Sequence, residues 1–359
     1  MFPRRLTSPS SEQSDPDAPV RATDNDAALA RLSASQKKYF SDPYISALVP
    51  RAHLQKPRPP LINVGTYLRG TAVDELVDSW IERAGVHGRV QIVSLGAGSD
   101  TRFWRLAAGP RAEKIEKYIE LDFPEVTSRK AMAVRKSKVL SPALGPADSV
   151  SVGDGGTSLR SAVYNLLPVD LRKTPGTSIA PLLATESGAL LSPNLPTLLL
   201  FECVLAYMTP AASDALIRWF ADYTQSGSSP LGSIVYEMFG LGDSFGRVML
   251  NNLKERNVSL PGVGPYPNIA SLPERFRRLN FTEAHALTLK DIRRDHVDAD
   301  ELERLSTLEL LDEVEELDLV LGHYAITWGA LVPESISADR KDWASWVLAP
   351  KTRERPEEE

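Results

Sequence analysis

Val90-Gln91-Ile92-Val93-Ser94-Leu95 runs straight into Gly96-Ala97-Gly98-Ser99-Asp100-Thr101, and then into a segment carrying Phe103, Trp104 and Leu106. The first six residues are β-rich and of strand length, and the apolar residues after the glycines fit a helix. Strand, glycine turn and helix in that order form the opening of a nucleotide-binding α/β unit. Such a turn exposes backbone N–H groups and lets a ligand approach the main chain closely. A tight turn can also need glycine for purely structural reasons. The next β-rich run decides between the two readings. Lys117-Tyr118-Ile119-Glu120-Leu121-Asp122 ends on two carboxylates, Glu120 and Asp122, which lie 22 and 24 residues after Gly98. Either can accept both hydroxyls of a ribose.

Working outward, Ala162–Leu167 and Thr197–Leu205 read as further strands, and the unbroken apolar character of the second fits a parallel sheet covered on both faces. A helix over Pro210–Tyr223, a strand over Gly232–Phe239, a helix over Ser244–Arg256 and a variable segment over Leu260–Ser271 follow. Ser306 with Glu309 reads as a capping box for a helix through Leu321. His323–Trp328 reads as a final strand at an antiparallel edge. On the amino-terminal side, order begins near Ala28–Leu32, and Ser41-Asp42-Pro43 opens a short helix. Lys56-Pro57-Arg58-Pro59-Pro60 is rigid and extended. Thr71 caps a helix that runs to Ala84 and ends at Gly85 and Gly88. The fold expected is therefore α/β, a Rossmann-like sheet with helices on both faces. The expected organisation is a disordered tail over 1–26, one domain over 27–348 and a charged tail over 349–359. The domain carries a helical cap (27–84), a mobile loop (141–158) and an insertion at about 244–275.

Composition narrows the function. The 359 residues are 42% hydrophobic and 25% charged, enough for one large core. A formal charge of −6, from 41 basic against 47 acidic residues, gives no general attraction to nucleic acid. The basic stretch from Arg129 to Lys138 reads as a solvated helix face, with contact to a phosphate or an acidic partner as the alternative. One cysteine, Cys203, permits neither an intrachain disulfide nor a cysteine metal cluster. Asp291, Asp295 and His296 form the nearest thing to a metal-ligating group, but their charged surroundings argue for exposure, and no metal is expected. No run suits a signal peptide or a membrane span, so a soluble intracellular protein is expected.

The turn itself selects the nucleotide. Gly96-Ala97-Gly98-Ser99-Asp100-Thr101 lacks the third glycine of the dinucleotide fingerprint. S-adenosylmethionine has no pyrophosphate. Its site needs only the close-approach turn, an acid for the ribose, a place for adenine and countercharges for the amino-acid end. Asp170 and Leu171 suit the adenine, one accepting from its amine and the other packing on the ring. A carboxylate acceptor would already be anionic near neutral pH, so it needs alignment and no base.

Several segments together carry a resemblance: Lys56-Pro57, Ile62 through Arg69, Leu95 through Arg105, Leu121-Asp122-Phe123-Pro124, Asp170-Leu171-Arg172, Phe201 through Pro210, and Gly242 through Gly246. The sequence resembles the leucine carboxyl methyltransferases. These transfer a methyl group from S-adenosylmethionine to the α-carboxylate of the terminal leucine of the protein phosphatase 2A catalytic subunit. The resemblance implies a class I methyltransferase fold with added amino-terminal helices and substrate-side insertions. It implies that Arg69 faces the carboxylates of both cofactor and leucine, that Gly96 and Gly98 meet the methionine portion, and that Asp122 takes the ribose. Asp170 and Leu171 would hold the adenine, Glu202 the methionine end, and Tyr207 would lie beside the acceptor pocket. Arg31 stands where the family commonly has a lysine for the cofactor carboxylate. Cys203 reads as a small buried apolar residue and His323 as structural. The expected partner is the phosphatase catalytic subunit, with no nucleic acid or membrane. A monomer in the cytoplasm, with the nucleus also open, completes the expectation. Two other readings stay open. A wybutosine-pathway carboxyl methyltransferase of transfer RNA would be expected to carry a long extension that does not follow Trp346. A small-molecule O-methyltransferase would share the glycine turn.

Overall fold

A computed structural model describes residues 15–185, 188–312, 314–335 and 343–351. Its centre is β1 (Val90–Leu95), buried along its whole length and followed in the chain by β2 (Ile115–Asp122), β3 (Ser151–Gly153), β4 (Ser158–Arg160) and β5 (Tyr164–Pro168). An antiparallel pair of two-residue strands, β6 (Ala184–Thr185) and β7 (Gly188–Ala189), precedes β8 (Thr197–Glu202), β9 (Leu231–Met238), β10 (Glu283–Thr288) and β11 (Tyr324–Leu331). Nine strands form one sheet in the order β10-β11-β9-β8-β1-β2-β5-β4-β3. The central strands are parallel, as the continuous apolar runs require, with Ser94 opposite Glu120 on β2 and Leu200 on β8. The antiparallel edge is present: β11 pairs antiparallel with both β9 and β10.

The chain leaves β1 towards β2 on one side and later returns to its other side as β8. Beyond the carboxyl ends of such strands a crevice opens, the usual ligand site of open α/β sheets. Helices close both faces. α1 (Ala18–Gln36), α2 (Ile45–Leu48), α3 (Pro60–Ala84), α4 (Arg102–Ala107) and α5 (Pro124–Lys136) come first, and Pro210–Gln225 supports the opposite face. One apolar cluster joins Trp80, Leu68 and Leu76 of α3 to Ile92, Tyr118 and Ile326, and the other joins Phe220 and Ile217 to Val93, Ile119 and Phe201.

Several expectations are corrected. The amino-terminal tail does not extend to residue 26. Residues 1–14 lie outside the described part, and the helix α1 begins at Ala18 with Pro19 in its first turn. Proline suits that position, because its missing N–H would have no intrahelical partner. The Asp-rich composition that suggested disorder is offset by basic partners distant in sequence. Asp17 pairs with Arg172, Asp24 with Arg129, and Asp26 with both Arg58 and Arg256.

The segment expected as a loop, 141–158, contains three short 3₁₀ turns and the edge strand β3, the last of the turns, Asp154–Gly156, leading from β3 into β4. α3 begins at Pro60, not Thr71; Thr71 lies inside it, its hydroxyl donating to the Tyr67 carbonyl at 2.8 Å. Arg69 is thereby fixed on a long rigid helix. Ser306 ends the helix Ala299–Ser306 instead of opening one. Glu309 is taken up in tertiary contacts, accepting from Asn63 Nδ2 at 2.7 Å and pairing with Lys37 at 3.0 Å. At the carboxyl end, the Lys351 amide donates to the Asp295 carbonyl at 2.9 Å, so the charged tail starts later than residue 349.

Candidate active site

A cavity of about 390 Å³ occupies the crevice beyond β1, β2, β5 and β8. Arg31, Arg69, Gly96, Gly98, Asp122, Asp170, Leu171, Glu202 and Tyr207, brought together from distant parts of the chain, all line it. Glu120 does not. It lies two residues further back on β2, fully buried, where Tyr164 Oη donates to it at 2.7 Å and Lys130 Nζ pairs with it at 2.6 Å. Burial pushes the Glu120 carboxyl up to about 7 despite Lys130.

The floor is the glycine turn. Gly96 and Gly98 have φ of +67° and +49°, a region L side chains rarely adopt. A Cβ on Gly96 would lie 2.5 Å from a methyl of Val204, and one on Gly98 would lie 2.6 Å from Asp24 Oδ1. Asp122, the last residue of β2, braces the turn: its Oδ2 accepts from the Gly98 amide and its Oδ1 from the Phe123 amide, both at 2.7 Å. Burial raises its carboxyl to about 6; the two amides oppose the rise and Asp24 adds to it.

Two arginines enter in the same manner. Arg69 Nε donates to Glu202 Oε2 at 2.6 Å, and its guanidinium lies 4.7 Å from the centre of the Tyr236 ring. Arg31 Nε donates to Asp42 Oδ2 at 2.5 Å, with its guanidinium 4.8 Å from the Phe40 ring. Asp42 also accepts from Thr101 Oγ1 and from the amides of Tyr44 and Ile45, so α1, α2 and the glycine turn meet on one carboxylate. Each arginine is anchored through Nε, and no partner among the described residues claims its two terminal nitrogens. A planar anion with paired oxygens matches such a fork.

Glu202 is more constrained than a polar strand end suggested. Its second oxygen, Oε1, accepts from Arg102 Nη1 at 2.8 Å. Burial alone would raise its carboxyl, but Arg102 and Arg69 outweigh burial and hold it well below the usual carboxylate range. Asp170 is likewise engaged, accepting from Arg172 Nε at 2.8 Å, while Arg172 also donates to Asp17 at 2.6 Å. Leu171 sits beside it, largely buried. Burial pushes the Tyr207 phenol up to about 12 and the Cys203 thiol up to about 11, so both stay protonated at neutral pH. Cys203 has a left-handed φ of +57° and carries the chain out of β8 towards Tyr207.

Sequence reasoning missed part of the wall. Thr23, Asp24 and Asp26 come from α1; Tyr236 and Tyr324 stack with ring centres 5.5 Å apart; Met249, Leu253 and Arg256 belong to the insertion. Arg102 stood in plain view after the glycine turn, but only the fold shows that it reaches Glu202. No group of His, Cys, Asp and Glu among the described residues is arranged to hold a metal ion. The glycines that a Cβ would block, the braced Asp122 and the two half-engaged arginines fit S-adenosylmethionine, which needs close backbone approach, a ribose acceptor and a counterion for a carboxylate.

The sequence profile described as leucine carboxyl methyltransferase matches residues 20–221. "Leucine carboxyl methyltransferase 1" of Cryptococcus neoformans is 44% identical over 360 residues, covering 92% of this chain and 97% of its own. The cattle protein of the same name is 34% identical, covering 90% and 93%. The Arabidopsis thaliana homolog is also 34% identical, covering 87% and 89%. Among solved structures, the plantazolicin methyltransferase BamL aligns over 87% of this chain and 99% of its own at 10% identity and a TM-score of 0.38, too distant to bear on the site. Profile and relatives run through the same strand ends that build the cavity, and the chain belongs to the leucine carboxyl methyltransferase family.

Proposed function

We propose that this family member transfers the methyl group of S-adenosylmethionine to the α-carboxylate of the C-terminal leucine of the protein phosphatase 2A catalytic subunit, a carboxylate oxygen forming the methyl ester as the sulfur–methyl bond breaks and S-adenosylhomocysteine leaves. The observation that carries the reading is Arg69, a residue of the cavity wall whose Nε is held by Glu202 and whose terminal nitrogens have no protein partner among the described residues. An anion suits that fork, and a peptide's terminal carboxylate is one at neutral pH. The surrounding chemistry agrees. Tyr207 and Cys203 are held protonated by burial, so neither serves as a base. An ionised acceptor requires none; it requires to be bound and aimed.

The cofactor, when bound, supplies an electrophilic methyl on a sulfonium. The chain's own residues do the rest. Gly96 and Gly98 would admit the methionine portion, Asp122 would accept hydrogen bonds from the ribose hydroxyls, and Asp170 with Leu171 would hold the adenine. Glu202 faces the α-amino group, and Arg31 takes the cofactor carboxylate. Arg69 would face both that carboxylate and the leucine's, and Tyr207 would wall the acceptor side. A leucine side chain and one carboxylate bury too little surface to select one protein, so the folded phosphatase contributes further contacts.

The test is transfer of labelled methyl to purified phosphatase, mass spectrometry of its terminal peptide, and release of the label in mild alkali. Arg69→Lys keeps the charge and loses the paired donors, so transfer should fall by about 10- to 100-fold, the range for a hydrogen bond to a charged group. Label that resists alkali, appears on a leucine-deleted phosphatase, or goes to transfer RNA instead overturns the assignment.

A further inference from the structure

The contact between Arg102 and Glu202 belongs to a longer arrangement. Arg102, at the first position of α4, keeps only 2% of its side chain exposed. Its Nε donates to Asp74 Oδ1 at 2.9 Å, and its Nη1 donates to Asp100 Oδ2 at 2.7 Å and to Glu202 Oε1 at 2.8 Å. Beyond it, Asp74 also holds Arg105, whose Nη2 donates to Oδ1 at 3.1 Å. Arg105, Asp74, Arg102, Glu202 and Arg69 thus form a file of alternating charge from the flank of α4 into the cavity. Asp74 and Arg69 sit one turn and a fraction apart on α3, so one helix anchors the file near both ends.

This arrangement does more than neutralise. Each oxygen of Glu202 is claimed by a different arginine, so the carboxylate can neither rotate nor easily take up a proton. Arg102 in turn is fixed from two further directions, by Asp74 of α3 and by Asp100 of the glycine turn. A single arginine would have sufficed to pair a buried glutamate; two from different helices set the plane of its carboxylate.

We propose that Arg102 and Asp74 are positioning residues for the amino-acid end of the cofactor. They act through Glu202, holding it ionised and in one orientation towards the cofactor's α-amino group. The inference rests on the reading that Glu202 faces that amino group.

The experiment is calorimetric titration of the full chain with two ligands, S-adenosylhomocysteine and 5′-methylthioadenosine. The second keeps the adenosine and lacks the amino-acid end. Asp74→Asn should weaken S-adenosylhomocysteine by about 5- to 20-fold and Arg102→Lys by about 10- to 100-fold, the cost of disturbing hydrogen bonds to charged groups. Affinity for 5′-methylthioadenosine should change by less than about twofold in both, an allowance for changes distant from the adenosine. A purely structural role would weaken both ligands in parallel, and that result, or unchanged S-adenosylhomocysteine binding in both variants, overturns the proposal. Asp74→Asn is close to isosteric and its site is 30% exposed, so the test survives even if Arg102→Lys does not fold. Glu202→Gln separates the two layers. If it binds S-adenosylhomocysteine as the wild type does, the reading of Glu202 falls; if it alone discriminates between the ligands, only the positioning role falls.

Discussion

Asp122 holds two backbone amides and faces the cavity, yet its carboxyl is raised by burial to about 6 from an ordinary 3.8. Between those values the native chain binds a proton that the unfolded chain has released, so this residue makes the fold less stable as pH rises through that window. A ribose whose hydroxyls donate to Asp122 prefers the ionised form. Affinity for S-adenosylhomocysteine should therefore be level above about pH 6 and fall by up to about tenfold per unit below it. Asp122→Asn should flatten that slope and weaken binding at neutral pH by about 10- to 100-fold. Calorimetry across pH 5 to 8 reads both, and a variant that keeps the acid slope would assign the titration to another group. Asp122 also shows how far a single residue was legible. Sequence placed two acids at the end of one strand; both point to the same face, but about 7 Å of strand rise separates them. That rise brings Asp122 to the carboxyl end of β2, where the cavity opens, and leaves Glu120 beneath α5 against Lys130 and Tyr164. Glycines and acids at strand ends could be found because turn chemistry is local. Tyr236, Tyr324 and the reach of Arg102 could not, because they depend on which strands become neighbours.

α1 is the element that composition misjudged. Its carboxyl half packs through Ala28, Leu32 and Ala34, but its amino half buries little and is tied down by ion pairs: Asp17 with Arg172, Arg21 with Glu125, Asp24 with Arg129, and Asp26 with Arg58 and Arg256. Asp24 additionally accepts from the Ser99 amide at 2.7 Å, directly over the glycine turn. Pairs at the surface contribute little singly, about 0 to 1 kcal/mol, and salt weakens them. α1 nevertheless lies across the cavity wall, so a cofactor leaving on that side must loosen it. Raising salt from about 50 to 500 mM should speed dissociation of S-adenosylhomocysteine several-fold, because the Debye length shrinks over that range. Asp26→Asn, which cuts α1 from both Arg58 and Arg256, should start faster and respond less to salt. Stopped-flow displacement decides it, and equal salt dependence in the two proteins would show that α1 does not limit release. The central strands were legible because both their faces are apolar. β3 and β4 were not, being three residues long each, and neither was β10, an edge strand whose six residues are all only half-buried.

At the scale of the whole molecule, α3 joins two regions. Near its start it presents Arg69 to the cavity; near its end Trp80 meets Trp343 and Trp346, with ring centres 4.7 and 5.0 Å away. The indole N–H of Trp346 donates to the Leu76 carbonyl at 3.0 Å, and that of Trp328 donates to the Trp346 carbonyl at 2.6 Å. The carboxyl-terminal segment is thus fastened across α3 and β11 by indoles that are almost wholly buried. Nothing local in the sequence announced this, since the partners come from opposite ends of the chain. It has an optical consequence. Of the six tryptophans, Trp80, Trp328, Trp343 and Trp346 belong to the clasp, Trp104 is buried against Leu140, and Trp219 stacks on Tyr223. No tryptophan lines the cavity. Indole emission should therefore shift strongly to the red when the chain is melted and stay nearly still when S-adenosylhomocysteine is titrated in, even at concentrations where calorimetry shows saturation. A large spectral change on ligand addition would mean that occupancy of the cavity reaches an indole, through α4 to Trp104 or along α3 to the clasp. A silent titration would leave the protein with a built-in fluorescence gauge of its folding that is blind to its ligand.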